Sequence, residues 1–197
     1  MNQEIEIERK TLVTKETFER LLSTLGLQDH DFVLQHNHYF ETTDGQLRSC
    51  GAALRIREKN GKHTLTLKEP HKEGLLETHQ ALSKEEVITV KTSGTLPDGD
   101  VKKQLHKLGI DTTALELLGT LSTERAEQAY EGGILCLDKS FYFDVVDYEI
   151  EFEGNNQEHA NKSFSSFLDA HNIAKIPTEN KIRRFFARKM SIHNKEG

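Results

Sequence analysis

Hydrophobic and polar positions alternate with a period of two along much of this chain, the pattern of strands with one apolar and one polar face. The clearest case is Leu54-Arg55-Ile56-Arg57-Glu58-Lys59, followed by Asn60-Gly61, a strong hairpin-turn signal, and then Lys62-His63-Thr64-Leu65-Thr66-Leu67-Lys68. Leu54, Ile56, Leu65 and Leu67 take one face; Arg55, Arg57 and Lys59, with Lys62, Thr64, Thr66 and Lys68, take the other. Pro70 is expected to end the return strand. In the first ten residues a single strand would put Glu4, Glu6, Glu8 and Lys10 on one face, with Ile5 and Ile7 turned toward an apolar layer. Residues 148–153 repeat that logic, with Glu149, Glu151 and Glu153 opposite Tyr148, Ile150 and Phe152. Further strands are expected over residues 36–42, 75–80 (Glu77 and His79 sharing a face), 117–130 (Leu121, Thr123 and Arg125 sharing a face), 134–138 after a Gly132-Gly133 turn, and 141–143.

A period near 3.6 marks the helices. Residues 14–25 carry Phe18, Leu21, Leu22 and Leu25, with Gly26 as the stop, and residues 157–171 carry Ala160, Phe164, Phe167 and Leu168. Ser83-Lys84-Glu85-Glu86 reads as a capping box, and residues 101–108 as a short amphipathic helix closed by Gly109. Pro177 precedes a basic segment over residues 180–189. No low-complexity linker or shift in composition divides the chain, so one domain over residues 1–197 is expected.

Hydrophobic residues make up 35% of the 197 residues and charged ones 29%, which fits either a polar interior or a heavily charged surface. The net charge of −6 argues against a general nucleic-acid binder, because phosphate backbones require a basic footprint. Cys50 and Cys136 form no metal or redox spacing, so reduced thiols are expected. With no apolar signal core and no bilayer-length apolar segment, the expected setting is cytoplasmic, without membrane association. His36 and His38 share a strand face at a spacing that could bind a transition metal, but no third ligand joins them locally.

The strand faces fall into an acidic group, Glu4/Glu6/Glu8 and Glu149/Glu151/Glu153, and a basic group, Arg55/Arg57/Lys59 and Lys62/Lys68, with Arg125 on a further strand. Such strands could close into a barrel with the charges inside and helices packed on the apolar outside. A sandwich with salt-bridged outer faces has the same pattern. If the charges face inward, they need partners, since unpaired buried charges cost several kcal/mol each. Ion pairing is one solution. A divalent cation on the acids with phosphate oxygens on the bases is the other, since Mg2+ or Mn2+ favours carboxylates and arginine binds phosphate bidentately.

The ordered series Glu6-Ile7-Glu8-Arg9-Lys10, Tyr39-Phe40-Glu41-Thr42, Leu54-Arg55-Ile56-Arg57, Thr66-Leu67-Lys68, Gly119 to Arg125, Asp138 and Glu149-Ile150-Glu151 resembles the CYTH superfamily, the triphosphate tunnel metalloenzymes. It is most similar to the Bacillus-type CYTH proteins. The resemblance implies an α+β fold: a closed eight-stranded antiparallel tunnel with a charged lumen and helices outside. It implies a Mg2+ or Mn2+ ion at Glu6, Glu8, Asp138, Glu149 and Glu151. Phosphate would be bound by Lys10, Arg55, Arg57, Lys68 and Arg125, with Lys181 or Arg183 as the C-terminal contact. Glu6, Glu8 and Lys10 would carry catalysis, and Glu77 would be a further lumenal acid. Glu4 and Glu153 lie outside the motif and are expected to be solvated.

The activity so implied is metal-dependent hydrolysis of a triphosphate-bearing small molecule: inorganic triphosphate, ATP or thiamine triphosphate. No base pocket is evident in the sequence, which favours inorganic triphosphate. Two alternatives stand. One is a class IV-type adenylate cyclase making cyclic AMP from ATP, although residues 36–42 depart from the HFxxP segment of that branch. The other is a non-catalytic polyphosphate or nucleotide sensor. Monomer and homodimer both fit the sequence.

Overall fold

The computed structural model of the protein describes residues 2–194; Met1, where the expected opening strand begins, and residues 195–197 lie outside the described residues. The described residues form nine strands and six helices, and the strand pairings with a described register are antiparallel. The chain divides into two compact units, one holding the residues up to Glu6 and Gln35–Leu121, the other Ile7–Leu34 and the residues from Ser122 onward.

In the first unit the hydrogen-bonded order is β1 (Asn2–Glu6), β6 (Gly74–Leu82), β5 (Lys62–His71), β4 (Ala53–Lys59) and β3 (Val33–Thr42). The β4–β5 turn has Asn60 and Gly61 at φ of 52° and 71°, the left-handed pair that a two-residue hairpin needs. Leu54, Ile56, Leu65 and Leu67 are fully buried and pack with Phe40, Leu47, Val87, Val90, Val101 and Leu105. Three helices complete the unit: α2 (Gln46–Ser49), α3 (Lys84–Ser93) and α4 (Asp100–Lys107). The Ser83 capping box starts α3 as expected. Buried Glu41 caps α2, accepting from the backbone N–H groups of Leu47 and Arg48 at 2.9 Å each.

Pro70 does not end β5. It pairs with Leu75 inside the strand, beyond the last β4 partner at Lys68, where β5 has a neighbour on one side only and a missing N–H is tolerated.

In the second unit the order is the part of β7 (Leu115–Tyr130) from Ser122 onward, then β8 (Gly133–Tyr142), β9 (Val145–Glu153) and β2 (Glu8–Val13). Leu135, Leu137, Ile150 and Phe152 form the apolar face and pack against Phe18 and Leu21 of α1 (Lys15–Leu25) and Ala160, Phe164 and Phe167 of α5 (Gln157–Ala170). The expected strands over 134–138 and 141–143 are one continuous β8. Its turn from β7 is Glu131-Gly132, at φ of 48° and 75°, rather than Gly132-Gly133. The basic segment after Pro177 is a helix, α6 (Lys181–His193), whose N-cap Asn180 accepts from Arg183 N.

The opening strand differs from expectation. It is two strands interrupted at Ile7: β1 pairs with β6, and β2 pairs with β9. Ile7 packs against the second unit's core and its carbonyl accepts from Gly154 N at 2.9 Å, whereas Ile5 is 40% exposed and covers no apolar layer. The change of pairing partner uncouples the two halves of the alternation. Among the described residues, no helix is long and apolar enough to cross a membrane, and Cys50 and Cys136 are both free thiols.

Candidate functional site

Each unit gathers charged side chains on the face opposite its apolar core. In the first unit the register runs Tyr39–Arg55–Thr66–His79 across four strands, and beside it Lys68–Glu77–Glu4 across three. Lys68 Nζ lies 2.5 Å from Glu6 Oε2 and also pairs with Glu77. Burial disfavours an ionised Glu77, yet Lys68 and then Arg55 outweigh it and hold the carboxyl down at about 2. Burial likewise works against the Arg55 guanidinium, and Tyr39, Glu77 and Glu6 raise it above its ordinary value. Arg55 Nε is buried and has no hydrogen-bond acceptor among the described residues. Arg57 Nε donates to Asn37 Oδ1 at 2.9 Å.

Two histidine arrangements in this unit contact protein groups, and the first, His79 with Glu4 and Glu77, is also a group that could hold a metal ion. His79 Nε2 lies 3.0 Å from Glu4 Oε1 and 3.3 Å from Glu77 Oε2, and its Nδ1 lies 3.0 Å from Thr66 Oγ1. His38 is buried between Thr120 Oγ1 at 2.8 Å and Glu58 Oε1 at 2.9 Å, and neither it nor His36 belongs to a group of potential metal ligands among the described residues.

In the second unit Arg125, Asp138 and Glu149 stand in one cross-strand row and Cys136, Glu151 and Lys10 in the next. Arg125 grips Asp138 bidentately, Nε to Oδ1 at 2.7 Å and Nη2 to Oδ2 at 2.6 Å, and also contacts Glu151. Lys181, the first residue of α6, places Nζ 2.7 Å from Asp138 Oδ2, 2.6 Å from Glu149 Oε1 and 2.5 Å from Glu151 Oε1. Lys10 pairs with Glu8 and lies 3.9 Å from Glu151 Oε1.

Asp138, Glu149 and Glu151 are almost wholly buried. Burial opposes the ionised forms of Asp138 and Glu151, but Lys181 and Arg125 prevail and hold both below the ordinary carboxylate range. Glu149 goes the other way: burial pushes it up to about 7, opposed by Lys181 and reinforced by its neighbour Glu151. Buried Cys136, beside this group, has its thiol pushed far up and is no nucleophile at neutral pH.

The structure thus brings Glu6, Arg55, Lys68 and Glu77 together in the first unit, and Glu8, Lys10, Arg125, Asp138, Glu149, Glu151 and Lys181 in the second. Arg183 is exposed. Sequence reasoning missed Arg184, which contacts Glu149 and donates from Nε to Asp147 Oδ2 at 3.0 Å. Asp147 in turn accepts from the Tyr142 hydroxyl at 2.6 Å. The available signal was Asn180 as a helix cap after Pro177, since a helix beginning at Lys181 carries 181 and 184 on one side.

The CYTH domain family model matches residues 4–186. The chain belongs to the CYTH family. This CYTH chain is 48% identical over 189 residues to a Bacillus subtilis (strain 168) protein named "Putative triphosphatase YjbK", a match covering 96% of this chain and 98% of that one. A Bacillus halodurans protein, whose crystal structure is described as that of "a putative adenylate cyclase", is 56% identical with a TM-score of 0.92, covering 94% of this chain and 100% of that one. A Hippeastrum protein, HpAC1, named a "Putative adenylyl cyclase" and described as having a dominant triphosphatase activity, is 28% identical with a TM-score of 0.76 over 93% of this chain and 95% of that one.

The CYTH family is metal-dependent in general, and the second unit's donors suit a hard cation. Asp138, Glu149 and Glu151 each offer an oxygen, all within 4.8 Å of one another. An all-carboxylate set of that size fits Mg2+ or Mn2+. The Lys181 ammonium, held by all three, marks the point where the group draws a positive charge.

Proposed function

We propose that this CYTH chain is a divalent-metal-dependent hydrolase of triphosphate-bearing substrates, acting on inorganic triphosphate to release phosphate and pyrophosphate. The observation that carries the proposal is the buried Asp138–Glu149–Glu151 group, a three-oxygen cation site set among basic residues on a polar sheet face. The relatives' names point the same way: one is named a "Putative triphosphatase", and the one named a "Putative adenylyl cyclase" is described as having a dominant triphosphatase activity.

In this reading Asp138, Glu149 and Glu151, with Glu8 of the same unit, hold Mg2+ or Mn2+, whereas Glu6, expected at the same ion, pairs with Lys68 in the first unit. The bound ion would neutralise phosphate charge and lower the pKa of the attacking water. Arg55, Arg57 and Lys68 in the first unit, and Lys10, Arg125 and Lys181 in the second, bind phosphate oxygens and stabilise charge developing on the leaving group. Arg55 suits this task because its buried Nε lacks an acceptor that a phosphate oxygen would supply. The C-terminal contact is assigned to Lys181, since Arg183 is exposed. Thiamine triphosphate and ATP carry the same reacting group and are the competing substrates. The closed eight-stranded tunnel and a single catalytic domain over residues 1–197 belong to the same proposal.

The test is phosphate release by purified protein from inorganic triphosphate, with EDTA, Mg2+ or Mn2+, and with ATP assayed alongside for phosphate and cyclic AMP. Metal-dependent release from triphosphate well above that from ATP is expected. Arg57→Ala should lower turnover by roughly 10²–10³-fold if its guanidinium stabilises the transferring phosphoryl group. The Bacillus halodurans relative's description favours a cyclase as the second reading. Cyclic AMP from ATP would establish that reading instead, and binding without turnover would leave a sensor.

A further inference from the structure

We propose that Lys181 is a resident counter-cation of the second unit's carboxylates, so that a divalent ion binds there only by displacing its ammonium. The inference rests on the reading of Asp138, Glu149 and Glu151 as the metal ligands and concerns what that site does before metal arrives.

The geometry carries it. Nζ sits 2.5–2.7 Å from one oxygen of each of the three carboxylates. Mg2+ bound to those same oxygens would stand about 2.0–2.1 Å from each, within the volume that the ammonium fills. The two cations therefore exclude one another. The lysine is also well placed to stay: it is the first residue of α6, its backbone is fixed by the Asn180 cap, and Arg184 one turn on ties the same helix to Glu149 and Asp147. Buried carboxylates gathered on three sides would repel one another without a cation, and the ammonium supplies one. Once displaced, the ammonium is released to meet a substrate anion, the role proposed for it above. The apparent metal affinity is then the intrinsic affinity reduced by the fraction of molecules in which Lys181 is undocked.

Mn2+ binding, read from the loss of the free-ion electron paramagnetic resonance signal, tests this without turnover. Lys181→Met removes the charge and keeps the length, and should tighten Mn2+ binding by about tenfold or more if the docked state is about 90% populated or higher. Lys181→Arg keeps a cation and should stay within a fewfold of wild type. Because Lys181→Met removes a counter-charge from buried carboxylates and so threatens folding, wild-type protein is also treated with an amine-reactive label, and modification of Lys181 is read by mass spectrometry. Saturating Mn2+ should raise labelling of Lys181 severalfold.

Labelling unchanged by bound Mn2+, or a folded Lys181→Met variant that binds no tighter than wild type, would overturn the proposal. Asp138→Asn separates the two levels: if it binds Mn2+ as wild type does, the metal reading itself fails.

Discussion

Glu77 shows how one carboxyl writes a pH dependence into this protein. Its folded value of about 2 lies below the ordinary 4.5, so between the two the unfolded chain binds the extra proton. The stabilisation from its pairing with Lys68 and Arg55 is complete above about pH 4.5 and is lost as the pH falls toward 2. At pH 7 Glu77→Gln should cost on the order of 3 kcal/mol, from about 1.4 kcal/mol per pKa unit. Urea denaturation of both proteins at pH 7 and pH 3 measures the gap, which should fall by more than half at the lower pH. A gap that stays constant would mean that packing, and not charge, sets the effect. Buried Glu41 makes the contrast, since it accepts from the backbone donors of Thr42, Leu47 and Arg48 and so acts as a structural cap.

At the scale of elements, each charged face depends on the apolar face behind it. Glu149 and Glu151 point where they do because Ile150 and Phe152 are fixed on the opposite side of β9, and a slip of one residue would exchange the two sets. Phe164 of α5 belongs to the cluster holding that register and is completely buried. Phe164→Ala should therefore destabilise by about 3–5 kcal/mol. The check is the midpoint of chemical denaturation followed by near-ultraviolet circular dichroism, and a loss below about 1 kcal/mol, the scale of ordinary surface effects, would show that α5 does not hold the sheet face. The β4–β5 hairpin was legible in the sequence except for the end of β5, because Asn60-Gly61 and strict alternation specify turn, register and facing together. Strand β8 was not, since Lys139-Ser140 interrupts the apolar pattern although both residues stay in the ladder with β7 and β9.

For the molecule as a whole, a cation that binds only the folded chain must raise its melting temperature. Mn2+ at 100 times its dissociation constant should add about 2.7 kcal/mol. That increment should disappear in EDTA and in Asp138→Asn, as measured by differential scanning calorimetry; an equal rise in Asp138→Asn would place the ion elsewhere. Much of the architecture was written locally. Period-two alternation marked the strands and their two faces, and the capping residues Thr14, Ser83 and Asn156 stand at helix starts. The ordered motif series identified the family. These features depend on near neighbours in the chain, and so a sequence displays them. The division of the opening strand at Ile7 depended on which strand each half pairs with, β6 or β9. That Lys181 and Arg184 reach the β9 carboxylates depended on where α6 begins and which side of it meets β9. The sequence determined the two faces and the charges each carries. Only the tertiary structure decided which charges meet, because ion pairs among residues as far apart as Arg125, Asp138, Glu151 and Lys181 form only when packing brings their strands and helix together.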